Sequence, residues 1–425
     1  MNADYRRRVL DNELDELLTG VAAIELKGPR ATGKTETAKA RAATILELDR
    51  AETRAIIEAD PQRVVTSPRP VLIDEWQRLP QTWDLVRRAV DADRSPGQFL
   101  LTGSASPKDP PTHTGAGRIV SLRMRPMTLS ERGVGIPSVS LGGLLTGRKE
   151  RLDGSTDVSA DQYAHEILAS GLPGLRGLPE RIVRAELDSY VAHVINDDFE
   201  EAGYPIRNSA GLRRWLEAYA AAVSSTTSYE KIRDAASAGR AEKPAKTTVL
   251  RHLDVLEGMW LIEPVPGWKP TTNRLSRLTL APKHQLADPA LAARLRRATV
   301  DSLLSGDPAG PLAPRHTTLF GALFEALVTL NVRVYAQAAE ATVSHFRDFA
   351  GDHEVDLIVE GVDQRVLAIE IKLAAVVDDD DVRHLVWLRN RLGDQLLDTV
   401  IVTTGSHAYR RPDGIGVVPA ALLGV

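Results

Sequence analysis

The sequence predicts a multidomain α/β chain: an alternating strand–helix first part, an all-helical middle and a second α/β part at the end. Three observations carry this. Apolar runs alternate with amphipathic stretches from residue 21 to about 127, the pattern of a parallel sheet covered by helices. Residues 161–225 read as helix throughout. From about 319 a helical stretch gives way to period-two runs, then a helix and a last strand. At 425 residues with 43% hydrophobic side chains, the chain can fill several cores.

Taken in order, residues 1–20 read as an amphipathic helix and "VAAIEL" (21–26) as a buried strand. "KTETAKARAATIL" (34–46) is rich in helix formers. "PRPVLIDEW" (68–76) is a strand with a proline boundary, "QTWDLVRRAVDA" (81–92) an amphipathic helix, and "QFLLTGSA" (98–105) a strand ending in small residues. "GRIVSLRMRPM" (117–127) adds a strand, and the Gly/Ser/Asp-rich stretch 133–160 reads as a loop. Residues 226–268 read helix, loop, helix, strand. The Pro/Gly-rich segment 301–316 reads as a mobile connector.

The net charge of −4 excludes a globally basic nucleic-acid coat but leaves room for a local basic face. Cysteine is absent, so no disulfide or thiolate metal site can form, which fits a reducing cytoplasm. "MNADYRRRVLDNELDELL" carries acids through its apolar stretch and is not read as a signal peptide. No apolar run approaches the ~18–20 residues of a membrane span, so a cytoplasmic chain with no membrane partner is expected. Eleven of the 53 basic residues are lysine, so a lysine at a chosen place carries some information.

Two lysines stand out. The first is Lys34, in Gly28-x-x-x-x-Gly33-Lys34-Thr35 between a strand and a helix. This is a P-loop pattern, whose glycines let backbone N–H groups turn inward around phosphate. Gly28, Pro29, Arg30, Ala31, Thr32, Gly33, Lys34, Thr35 and Glu36 are expected to form a nucleotide site, with Lys34 on the β- and γ-phosphates of ATP and Thr35 on Mg²⁺. "VLIDEW" brings Asp74 to a strand end as a second Mg²⁺ ligand. Glu75 is placed to act as general base on a water, or simply caps the next helix. Thr102 and Ser104, at a third strand end, can orient the same water.

These pieces resemble the AAA-like branch of the P-loop ATPases. By that likeness Arg118 in "GRIVSLRMRP" is an arginine finger, acting in cis or across a subunit contact. The second option would make the chain a homo-oligomer. The likeness also implies a lid at 161–225, from which Arg207 or Arg213 could touch nucleotide. "SYEKIRDAA" and "KPAKTTVLRHLDVLEGMWLIEPVPGW" look like a winged helix with its recognition helix at 245–257. Lys243, Lys246, Arg251 and His252 would give it a basic edge for DNA, while Asp254 and Glu257 fit a protein hinge as well.

The second lysine is Lys372. Asp356, thirteen residues, then Glu370-Ile371-Lys372 is the Asp…Glu-x-Lys pattern of the PD-(D/E)xK nuclease fold. Residues i and i+2 of a strand share a face, so Glu370 and Lys372 point the same way and Asp356 can join them. By this reading Asp356 and Glu370 hold Mg²⁺ or Mn²⁺ and Lys372 steadies the attacking water. Glu325 stands where many such nucleases keep a further acid. A salt bridge between strands is the plainer alternative.

"GPRATGKTETA", "VLIDEWQRLP", "LLTGSASP", "GRIVSLRMRPMTLSE", "GLPGLRG", "KPAKTT" and "EVDLIVE…AIEIKL" occur in one order. Together they resemble the bacterial and archaeal AAA-type ATPases that end in DUF4143. The resemblance implies an AAA-like ATPase domain (1–160), a helical lid (161–225), a winged helix (226–300) and a PD-(D/E)xK-like domain (301–425). The expected activity is an ATPase coupled to a nuclease-fold module acting on DNA. The alternative is a non-cutting, ATP-driven scaffold.

Overall fold

The computed structural model describes residues 5–103, 115–149, 151–206, 208–239, 243–270, 280–313, 317–348 and 351–425. Among these, the strands of the first part are β1 (Ala23–Lys27), β2 (Thr44–Glu47), β3 (Val71–Asp74), β4 (Phe99–Thr102) and β5 (Ile119–Arg123). They form one parallel sheet in the order β2-β3-β4-β1-β5. The central strands are apolar because helices cover both faces. One face holds Trp76, Trp83, Val86 and Ile57; the other holds Leu10, Leu14 and Ala38. The N-terminal helix is shorter than the sequence suggests, Leu10–Leu18.

The stretch read as a loop at 133–160 holds short elements. Strand β6 (Val139–Ser140) leads into the helix Leu141–Leu144 and pairs in parallel with β14 (Leu423–Gly424), so the chain's end docks beside its first domain. The helices Ala160–Leu168, Glu180–His193 and Ser209–Ala221 make the expected helical region. A π-helical turn, Val194–Asp198, extends the second. Then come the helices Tyr229–Ala236 and Lys246–Gly258. The expected wing strand shrinks to two isolated antiparallel bridges, Ile262 with Leu286 and Val265 with Lys283. The helix Val300–Leu304 runs into the expected connector 301–316.

The last part is a mixed sheet in the order β12-β13-β11-β10-β9-β8-β7. Its centre is β8 (Thr342–Arg347), β9 (Glu354–Glu360), β10 (Val366–Lys372) and β11 (Leu396–Thr403), with β7 (Gly267–Trp268) on one edge and β13 (Gly416–Pro419) and β12 (Tyr409–Arg410) on the other. β9 runs antiparallel to β10, and β11 parallel to it. The helix Asp379–Leu392 packs on one face through Leu385 and Leu388. The helix Leu319–Ala338 packs on the other. It corrects one expectation, since by length and composition it could cross a membrane. In the fold, 89% of that apolar stretch is buried inside the protein, as in a core helix. One apolar core runs from Leu129 through the middle helices to Leu423, so the middle and last parts are packed together.

Candidate functional site

β1 delivers the chain into the P-loop, and the loop needs its glycines. A side chain at Gly28 (φ +154°) would put its Cβ 2.1 Å from the Met124 carbonyl oxygen. Gly33 has φ +97° and Ala31 φ +62°. Lys34 opens the following helix, Lys34–Lys39, and is buried. Its Nζ donates to the carbonyls of Gly28 (2.9 Å) and Pro29 (2.8 Å). Among the described residues it has no carboxylate at ion-pairing distance. Burial lowers its pKa to about 8; Arg123 and Arg30 push the same way, against Glu75 and Asp74. A buried ammonium bonded only to carbonyls, with Glu75 and Asp74 acting on it from beyond ion-pairing distance, leaves room for phosphate oxygens.

The opposite wall comes from β3 and β4. Because β4 lies between β1 and β3, Thr102 is registered with both Leu26 and Asp74. Asp74 Oδ1 accepts from Thr35 Oγ1 at 2.8 Å and also from Thr102 Oγ1. The predicted Mg²⁺ pair, Thr35 and Asp74, is thus already in contact, and the donor set of hydroxyl and carboxylate fits a hard cation. Glu75 follows in the left-handed region, φ +54° and ψ +47°. For a non-glycine residue that is uncommon backbone, and it occurs directly after the Asp74 strand. Burial raises the Glu75 pKa, the neighbouring Asp74 adds to it, and Lys34 opposes it. Gln77 Nε2 donates to Glu75 Oε2. Ser104 and Arg207 lie outside the described residues.

Beside the P-loop helix is a cavity of about 310 Å³, lined among others by Tyr5, Gly33, Glu36, Met124, Pro173 and Arg176. Its apolar walls and its position next to the phosphate loop suit the rest of a nucleotide. Thr32 is buried, its Oγ1 donating to Pro29 O. Arg30 leaves the loop to pair with Asp198 and Glu201, each at 2.9 Å. Asp198 lies in the π-helical turn, and burial pushes its pKa up to about 6 although Arg30 opposes this.

Arg118 is not brought to this site. It precedes β5, at the far end from the P-loop, and its Nε pairs with Asp91 at 2.8 Å. In a parallel sheet the nucleotide lies at the carboxyl ends of the strands. The arginine at that end is Arg123, registered with Lys27. Its guanidinium lies 3.8 Å from the centre of the Trp260 ring, its Nη2 is 3.4 Å from Glu263, and its buried Nε and Nη1 have no hydrogen-bond partner. Arg125 pairs with Glu263 at 2.6 Å, and Arg333 lies 3.7 Å from it. Burial alone would raise the Glu263 pKa; Arg125, Arg333 and Arg123 hold it far below the usual range. Arg213 pairs with Glu217 on its own helix.

On the expected basic edge of the middle region, Lys243 pairs with Asp234 at 3.3 Å and Lys246 with Glu230 at 2.7 Å. Arg251 lies against the Tyr204 ring, and His252 packs edge-on to Phe199 and Trp215.

In the last domain the predicted acids do converge. Ile371 N donates to Asp356 Oδ2 at 2.9 Å, and Lys372 Nζ lies 3.2 Å from Glu370 Oε1. Glu325 reaches the same place from the helix Leu319–Ala338, and Glu354 from β9. The sequence reading missed what lies between them. Lys283 Nζ is 2.8 Å from Asp356 Oδ1, 2.9 Å from Glu325 Oε1 and 3.2 Å from Glu354 Oε1. Burial would lower the Lys283 pKa, but Asp356, Glu325 and Glu354 outweigh it and raise it well above normal. The Glu370 carboxyl is raised by burial and by Asp356. With an ammonium on three of the four acids, the arrangement does not fit a divalent cation as it stands. Among the described residues no group of three or more His, Cys, Asp or Glu is set to hold a metal.

Family models match three stretches. Residues 22–132 match an AAA domain, residues 160–302 the domain of unknown function DUF8612, and residues 320–423 the domain of unknown function DUF4143. The middle match runs across residue 225, where the sequence reading divided lid from winged helix. Similar proteins include uncharacterized proteins of Mycobacterium tuberculosis and Mycobacterium bovis. Each is 26% identical over 429 residues, covering 97% of this chain and 83% of the relative. The chain is an AAA-type ATPase-family protein with a C-terminal DUF4143 domain.

Proposed function

We propose that the chain binds ATP with Mg²⁺ at the P-loop, hydrolyses it, and passes the nucleotide state to the middle and C-terminal regions. The observation that carries this is the Thr35–Asp74–Thr102 contact beside a buried Lys34 that is bonded to two carbonyls and, among the described residues, has no carboxylate at ion-pairing distance. Lys34 supplies charge to the β- and γ-phosphates. Thr35 and Asp74 hold Mg²⁺, which neutralises phosphate charge. Glu75 takes a proton from the attacking water; a base whose pKa is raised toward neutrality does this better than an ordinary exposed carboxylate. Thr102 fixes Asp74. Arg30 on Asp198 and Glu201 attaches the loop to the middle region, and Arg123 and Arg125 on Glu263 attach the end of β5 to it.

The remainder of the proposal is a winged-helix middle and a nuclease-like C-terminal module acting on DNA. It is supported by the helix pair Tyr229–Ala236 and Lys246–Gly258, and by the convergence of Asp356, Glu370 and Lys372. The second reading, an ATP-driven scaffold that does not cut, is favoured by Lys283 among the acids and by the acid partners of Lys243 and Lys246. Calorimetric titration of Lys34→Ala with ATP and Mg²⁺ tests the core of the proposal. Affinity should fall by about a hundredfold, the order lost when a charge-assisted contact is removed. Unchanged affinity would sink it.

A further inference from the structure

We infer that Lys283 is an internal plug: its ammonium, delivered by the middle region, takes the place of a divalent cation among the acids of the C-terminal domain and keeps that site closed. The inference rests on the nuclease-like reading of this domain and adds a regulation to it.

Four carboxylates converge here from three elements, and such a group cannot stay ionised together without positive charge between its members. Lys372 belongs to the same strand as Glu370 and faces that acid. Lys283 comes from outside the domain, and its side chain is almost fully buried. Three carboxylate oxygens lie 2.8 to 3.2 Å from Lys283 Nζ, and the one on Asp356 accepts a hydrogen bond from it. A metal ion would need the same oxygens at ~2.0–2.6 Å, so ammonium and metal exclude each other. Glu370 Oε2, buried and without a hydrogen-bond partner, is left facing the same space. That space opens into a cavity of about 400 Å³ lined by Lys283, Glu325, Asp356, Glu370, Lys372 and Arg383.

Lys283 is delivered by a buried segment whose next residues, His284 and Gln285, hydrogen-bond to Ser225 and Glu263. The Lys283 backbone is held by one bridge to Val265, with hydrogen bonds of 2.8 and 2.9 Å, outside any extended strand. Glu263, two residues before Val265, binds the Gln285 carbonyl through its N–H at 3.1 Å and holds Arg123 and Arg125 through its carboxylate. A short bridged piece therefore touches the arginines at the end of β5 with one residue and the acid cluster with another.

The test is Mn²⁺ binding without nucleotide, followed by electron paramagnetic resonance of the free ion. The wild-type cluster should bind weakly, and Lys283→Met should bind at least about tenfold more tightly. Adding Asp356→Asn to Lys283→Met should remove the gain, which locates it at this cluster. If Lys283→Met does not fold, Lys283→Met with Glu354→Gln removes one negative charge with the lost positive one and carries the same comparison. Equal Mn²⁺ affinity in wild type and variant, or no gain in either variant, overturns the plug. A gain of Mn²⁺ binding with no nicking of plasmid DNA leaves the plug standing and overturns the nuclease reading instead.

Discussion

The P-loop and the acid cluster of the last domain are both buried, charged and built at strand ends, yet their charge is balanced differently. Around the P-loop, Lys34 rests on two carbonyls with Arg123 and Arg30 near it, and burial holds its pKa down. In the last domain Lys283 rests on three carboxylates and its pKa is driven up. At the first site, among the described residues, the lysine has no carboxylate at ion-pairing distance; at the second it lies between three. A charge imbalance left by the fold points to a ligand more reliably than a matching motif does, because burying an unpaired charge is costly and persists where something else supplies the partner.

The largest effect expected from this contrast is at Glu75. Glu75→Gln keeps the shape beside Asp74 and removes the basicity. Steady-state ATP turnover should fall by about 10²–10⁴-fold, the usual share of a general base, with ATP affinity little changed. Turnover at the parental rate would mean that the left-handed turn at Glu75 serves the backbone path alone, and the P-loop side of the comparison would lose its chemistry.

Legibility in the sequence followed contiguity. The P-loop is one run of residues, and Asp74 and Thr102 end apolar runs, so their convergence follows from a parallel sheet. Asp356, Glu370 and Lys372 were legible for the same reason, since period-two alternation fixes their face. Lys283 was not, because it lies 73 residues from Asp356 on a segment with no regular pattern. The one available signal was the scarcity of lysine in an arginine-rich chain, and it was applied to Lys34 and Lys372 but not to Lys283. For a finger acting within the chain, the choice between the arginines was legible. "GRIVSLRMRP" has arginines at both ends of a strand, and in a parallel sheet the carboxyl end faces the ligand, which selects Arg123. Glu263, where Arg123, Arg125 and Arg333 meet, depends on tertiary packing between regions that no local pattern links.

A smaller effect follows from the lowered pKa of Lys34. Free Lys34 loses its proton near pH 8, whereas phosphate oxygens around it would raise its pKa in the complex. Binding above that pH must therefore take up a proton. ATP affinity should be flat below pH 8 and fall by up to about tenfold per pH unit above it. Lys34→Arg stays charged throughout, so its affinity, whatever its absolute value, should lose that slope between about pH 7 and about pH 9. A wild type with no slope over this range would show that phosphate oxygens do not gather around Lys34, and the contrast between the two sites would weaken.

The smallest effect is expected at Arg118. It sits one β5 length from the P-loop end, roughly 16 Å for five residues at ~3.3 Å each. Its guanidinium is already paired with Asp91, and both side chains are about a third exposed. Neither the distance nor the partner allows it to reach a phosphate bound to its own chain. Arg118→Ala should thus leave turnover in dilute protein within about twofold of wild type, while Arg123→Ala, at the carboxyl end of the same strand, lowers it more. The decisive variable is protein concentration. If Arg118→Ala turns over normally when dilute but loses a rise in specific activity that wild type shows when concentrated, the arginine serves a neighbouring chain. If it slows turnover equally at every concentration, β5 must shift on nucleotide binding. In that case the Arg118–Asp91 pair, rather than Arg123 and Glu263, would be the part of the first domain that moves.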